Sequence, residues 1–208
     1  MKKRSIILLA MLMLAFVLSA CAGKDNAEKM PEENVPEENV SDENTEETAD
    51  MDVLSIMNDV WAAYGEDEKF YGMGGDANHS VENAPGNFDL EEKDALAATL
   101  LVNEEMSPMI DEAASLVHAM NLNVFTGAAF HVTDPANVEP FAEAMKNNIL
   151  NNHWMCGAPD RYVIYSVNEE YVVMAFGQMD ILPLFMEKFM SVHGDYAVVL
   201  ADENVAQW

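Results

Sequence analysis

The sequence is poor in cysteine and in positive charge, and each shortage removes a class of protein. Among 208 residues there are two cysteines, Cys21 and Cys156. A small disulfide-stapled scaffold needs several pairs and a CxxC redox centre needs two neighbouring thiols, so both are excluded. Lys and Arg number 10 against 37 Asp and Glu, a formal net charge of −27. Nucleic-acid binding requires clustered cations over phosphate, so no nucleic-acid partner is expected. The same deficit argues against charge-driven docking on anionic lipid and leaves cationic partners, divalent ions or plain solubility open. Chemical motifs are scarce too. The five histidines (His79, His118, His131, His153, His193) show no HxxxH or HExxH spacing, so no metal site is expected from them. Gly72-Met73-Gly74-Gly75 lacks the Lys-Ser/Thr pair of a phosphate loop. No nucleophile elbow or Ser-His-Asp order stands out, and no cofactor and no catalytic residue are assigned.

One long apolar run is present, at the start. Lys2, Lys3 and Arg4 precede an apolar stretch from Ile6 to Leu18, and small residues follow. That is the plan of a secretory signal peptide. The run is also shorter than the roughly 20 residues a membrane span needs. Leu18-Ser19-Ala20-Cys21 resembles the lipobox of bacterial lipoproteins. The resemblance implies cleavage before Cys21 and lipid attachment to its thiol, with the protein held on the extracytoplasmic face of the cell membrane. Two acyl chains, at about 0.8 kcal/mol per buried methylene, anchor stably where one binds reversibly. The alternative is ordinary cleavage near Ala20 or Ala22, releasing a soluble protein. With Cys21 spent on lipid, Cys156 has no disulfide partner within the chain.

Residues 21–50 form an acidic tether in this reading. They are rich in Glu, Asp, Asn, Pro and Thr, have no aromatic, and contain the tandem repeat Pro31-Glu-Glu-Asn-Val35, Pro36-Glu-Glu-Asn-Val40. Such a stretch cannot bury enough apolar surface to offset its ordering entropy. As a flexible coil it spans about 30 Å.

Residues 51–208 are expected to form one α+β domain. Val53, Ile56, Met57, Val60, Trp61 and Tyr64 share one helical face, ending at Gly65. Phe70 to Asn87 reads as loop or short strand, and Asp89 to Ala98 as a short helix. Ser107-Pro108 suggests a helix start, with Ile110, Ala113, Ala114, Val117 and Met120 on its face. Val124 to Val132 alternates as a strand. A helix from Asn137 accommodates Pro140 in its first turn. Arg161–Val167 and Tyr171–Phe176 make a hairpin across Asn168-Glu169-Glu170. A further helix, capped by Asp180 with Pro183 in its first turn, leads to a strand at Tyr196–Leu200. Residues 124–200 thus follow the βαββαβ order of a ferredoxin-like unit in a mostly antiparallel sheet, with the helices of 51–120 packed around it.

Within this domain, His153-Trp154-Met155-Cys156-Gly157-Ala158-Pro159-Asp160 is the most distinctive stretch. His153, Trp154, Cys156 and Asp160 are candidates for a binding or reactive loop, since a nearby imidazole can activate a thiol. The plainer reading has Trp154 and Met155 plugging a helix end and Cys156 buried as a small hydrophobe. Glu66, Asp67, Glu68 and Asp76 lie near one Gly-rich loop without an EF-hand pattern. Met106-x-x-Met109 and Met186-x-x-x-Met190 come nearest to a Cu(I) thioether motif. Most of the other methionines fall on apolar stripes, so the methionines are read as core residues.

With Asp111-Glu-Ala-Ala-Ser-Leu-Val-His118, Phe125-Thr126 and Trp154-Met-Cys-Gly157, the chain resembles an uncharacterised family of Gram-positive anaerobe lipoproteins. That resemblance implies an envelope location and a domain of unknown function, and carries no catalytic residue. The expectation is a membrane-anchored, non-catalytic module binding a ligand, an envelope protein or a transporter. The rivals are a thiol-dependent enzyme or redox-sensitive protein using Cys156, and a divalent-cation-binding surface.

Overall fold

The computed structural model describes residues 51–205. The expected leader, the lipid site at Cys21 and the acidic tether lie outside these residues. Among the described residues no helix is long and apolar enough to cross a membrane.

The chain forms four helices, α1 (Val53–Ala62), α2 (Lys93–Leu100), α3 (Val138–Asn151) and α4 (Leu182–His193), around an antiparallel eight-stranded sheet. Three short strands come early: β1 (Gly72–Gly74), β2 (Val81–Glu82) and β3 (Gly86–Asn87). The long ones are β4 (Ile110–His118), β5 (Phe125–Val132), β6 (Arg161–Val167), β7 (Tyr171–Gly177) and β8 (Ala197–Asn204). Their spatial order is β2-β1-β4-β5-β7-β6-β8, with β3 also paired to β4.

The expected α+β class and the βαββαβ order from β5 to β8 are present. Their arrangement in space has a particular form. β5 connects through α3 to β6, stepping over β7, and β7 connects through α4 to β8, stepping over β6. Both steps move the same way across the sheet, but they start from strands pointing in opposite directions. Two crossovers of the same hand must then place their helices on opposite faces. They do. Phe141, Met145 and Ile149 of α3 pack with Tyr162, Ile164, Met174 and Phe176, whereas Phe185 and Phe189 of α4 pack with Val163, Tyr165, Val173 and Ala175. A ferredoxin-like unit has both helices on one face, so this domain is a three-layer sandwich instead. β6 and β7 are therefore buried on both sides, which is why they read as nearly unbroken apolar runs.

Each helix follows from its own residues. A capping box starts α1, with Asp52 accepting from the Ser55 N–H at 2.6 Å and Ser55 Oγ accepting from the Asp52 N–H at 2.9 Å. α2 begins four residues later than expected, because the Asp89 carboxylate accepts from the Glu91 N–H and holds that stretch in a turn. Pro140 and Pro183 both lie in first turns, where the missing N–H costs nothing. Asp180 does not cap α4; the residue before the helix is Ile181, and the Gln178 carbonyl takes its first N–H groups.

The principal correction concerns Ile110–His118. Ser107–Met109 does form a turn, but of 3-10 type, and the chain then enters the sheet as β4 instead of continuing as a helix. A bulge at Asp111 separates the pairs Ile110↔Val132 and Glu112↔His131. The extra residue spaces Ile110 and Ala113 three apart on one face. Ala114 and Leu116 face the other core. This bulged strand, buried on both sides, reproduces a helical spacing. The glycines of 72–75 serve the sheet as well: a Cβ on Gly74 would lie 2.3 Å from the Gly86 nitrogen, so β1 and β3 approach this closely only without one.

Candidate functional site

The candidate loop follows α3 and leads into β6. Asn152 ends the helix in extended backbone. Residues Leu150–Met155, with Gly157 and Ala158, line an open cleft of about 780 Å³. Trp154 sits partly buried at its base, its ring meeting Phe176 of β7 edge-on at 5.1 Å. Its Nε1 is shielded from solvent and has no hydrogen-bond partner among the described residues. The helix-plug expectation thus holds for Trp154. It fails for its neighbours, because Met155 is 79% exposed and Cys156 is exposed too.

The loop is shaped by backbone strain and by a distant clamp. Cys156 has φ of 65° and Gly157 of 99°. The first is a conformation that costs an L-residue about 1 kcal/mol or more and persists only where its surroundings hold it. The holder is Asn123, just before β5. Its Nδ2 donates to the Met155 carbonyl at 2.7 Å and to the Gly157 carbonyl at 2.6 Å. The loop is thereby tied to the strand next to it.

The four residues singled out from sequence separate in space. His153 and Trp154 line the cleft; the lining passes from Met155 to Gly157 without Cys156. Asp160 belongs to the frame: its carboxylate accepts from the Met179 N–H at 3.0 Å, and its backbone pairs with Gly177 and Val205. No bond joins His153 to Cys156 among the described residues, so the imidazole–thiol pairing is not formed.

Sequence reasoning missed the asparagines. Asn148, Asn151 and Asn152 bring carboxamides to the end of α3, and a second, adjoining cleft of about 250 Å³ shares Asn151 and Asn152 with the first. The run Asn147-Asn148-Ile149-Leu150-Asn151-Asn152 was the available signal. Asn148 is fixed by donating to the Leu101 carbonyl at 2.7 Å. The side chain of Asn152 has no hydrogen bond among the described residues.

A different cleft, of about 830 Å³, opens between the start of α1 and the start of β4 and is strongly acidic, lined by Asp52, Asp89, Glu91, Asp111 and Glu112 with Lys93 as its cation. The bulge turns Asp111 onto His131, with Oδ1 and Nδ1 2.5 Å apart, and the ring of Tyr171 flanks the imidazole. Ser107 lines this cleft but makes no bond to His131, so no hydroxyl–imidazole–carboxylate relay is assembled there among the described residues.

The acidic residues near the glycine loop disperse. Glu66 pairs with Lys69 and Glu68 with Lys188. Asp76 is buried, where desolvation pushes its carboxyl up. The N–H groups of Asp89, Asn78 and His79 and the His79 ring outweigh that and hold it down at about 2. Among the described residues no three His, Cys, Asp or Glu side chains gather as metal ligands. Of the paired methionines, Met106 is core and Met190 is exposed.

Comparison with protein families, with curated proteins and with solved structures gives no match for this chain.

Proposed function

We propose that this protein is a membrane-anchored lipoprotein of the cell envelope whose folded domain is a non-catalytic binding module, with the cleft at the end of α3 as its ligand site. The observation that carries the binding reading is this cleft, built of Trp154, His153 and carboxamides and pre-shaped by the Asn123 clamp. A concave site with an aromatic wall, a few polar groups and a fixed frame is what small-ligand recognition requires. The lipobox at Cys21 and the acidic stretch after it support the anchored placement, and membership of a Gram-positive lipoprotein family is part of the same reading.

Hydrogen exchange on the protein in native envelopes, set against the purified protein, tests it. Slowed exchange at residues 150–158 in envelopes supports a ligand at the cleft. Unchanged exchange there, with protection elsewhere, overturns it. The anchor is tested separately: Cys21→Ser is expected to abolish palmitate incorporation and release the protein from the membrane fraction.

The thiol reading keeps one observation in its favour, the exposure of Cys156. It lacks a base: His153 lines the cleft, but no bond brings it to the sulfur.

A further inference from the structure

The two adjoining clefts at the end of α3 share Asn151 and Asn152, and their linings contain no Asp, Glu, Lys or Arg. On a protein with a formal charge of −27 that neutrality is a selective feature. From it, and from the kinds of side chain present, we infer that the groove binds an uncharged saccharide. This deepens the binding reading above and rests on it.

Chemistry narrows the class. Each hydroxyl of a sugar is at once a donor and an acceptor, and a carboxamide offers an NH2 and a C=O side by side, so one Asn can serve one hydroxyl in both senses. Four asparagines line the groove. Asn103 already accepts from backbone N–H groups through Oδ1, and Asn148 and Asn151 already donate to backbone carbonyls through Nδ2. Asn152, whose side chain has no hydrogen bond among the described residues, offers both senses. Trp154 adds a flat apolar wall against which the C–H face of a pyranose can lie. A cation would be drawn instead to the acidic cleft beside β4, and an anion is repelled by the molecule as a whole. A purely apolar ligand would leave the carboxamide of Asn152 desolvated without a partner.

The Cys21→Ser protein, otherwise full length, is titrated with maltotriose, with tri-N-acetylchitotriose and with benzyl alcohol as an apolar neutral probe. Tryptophan fluorescence is the readout. Trp154→Phe identifies the share of the signal that belongs to residue 154 against Trp61 and Trp208. The expected result is saturable quenching by a trisaccharide that persists in about 0.5 M salt, because no charge is involved. Asn152→Ala, a surface change that leaves the fold intact, is expected to weaken that binding about 10-fold, the loss of one neutral hydrogen-bonding group. Binding by benzyl alcohol alone overturns the saccharide and leaves the cleft reading standing. Silence from every probe overturns both. Saccharide binding that Asn152→Ala does not alter places the sugar elsewhere and overturns the inference.

Discussion

The side-chain amide of Asn123 holds the carbonyl oxygen of Gly157 at 2.6 Å, across 34 positions of sequence. With the second bond to Met155, one asparagine just before β5 fixes both ends of the exposed turn that carries Cys156. The shape of the cleft depends on this pair.

Asn123→Ala is therefore expected to loosen the loop more than the fold. Two exposed neutral hydrogen bonds are worth about 1–2 kcal/mol together, seen as a fall in the denaturation midpoint. Exchange at residues 153–158 is expected to accelerate well beyond what that global loss explains. Uniform acceleration across the domain would mean the clamp serves general stability alone.

Cys156 is expected to react with a maleimide in the folded protein without prior unfolding, because its side chain is exposed. Mass spectrometry under native conditions counts the adduct. Protection that disappears in denaturant would contradict the exposed placement.

Asp76 ties stability to pH. Its carboxyl titrates at about 2 when folded, below the ordinary 3.8, so the folded state favours the ionised form. The resulting stabilisation is present above about pH 4 and is lost as the pH falls from about 4 to about 2. A shift of this size corresponds to roughly 2 kcal/mol. Asp76→Asn is expected to lower stability at pH 7 by that order and to flatten the acid dependence in this window. Denaturant midpoints measured from pH 7 down to pH 2 check it.

How far the fold was legible depended on how many faces of each element are buried. α1, α3 and α4 each bury one stripe, so Val53, Ile56 and Val60, or Phe141, Met145 and Ile149, keep a helical period. The β6–β7 hairpin was legible from its turn, where Asn168 and Glu169 have φ of 51° and 60° as in a type I′ turn. β4 misled because its bulge at Asp111 shifts the register and both its faces meet a core. The opposite placement of α3 and α4 depends on where β8 joins the sheet, and element order alone does not contain that. Of the site, the loop was visible as an unusual string of residues. The clamp from Asn123 was not, since a bond across 34 positions leaves no local pattern.

His193 joins two helices on one face of the sheet. It is buried, and its Nε2 donates to the Ile56 carbonyl at 3.0 Å, tying the end of α4 to α1. His193→Ala removes that bond and leaves a cavity, at an expected cost of about 2–4 kcal/mol. His193→Phe fills the space without the bond and is expected to recover part of the loss. Equal stability of the wild type and the alanine variant would show that the contact is dispensable.

Mapping backbone amide shifts on the isotope-labelled full-length Cys21→Ser chain, titrated with neutral trisaccharides, tests the ligand site most directly. The cleft reading predicts saturable shifts concentrated at Asn148, Asn151–Trp154 and Gly157, extending to Asn123 through the clamp. Shifts confined to the acidic cleft around Asp111 and Asp89, or none in residues 148–158, would contradict it.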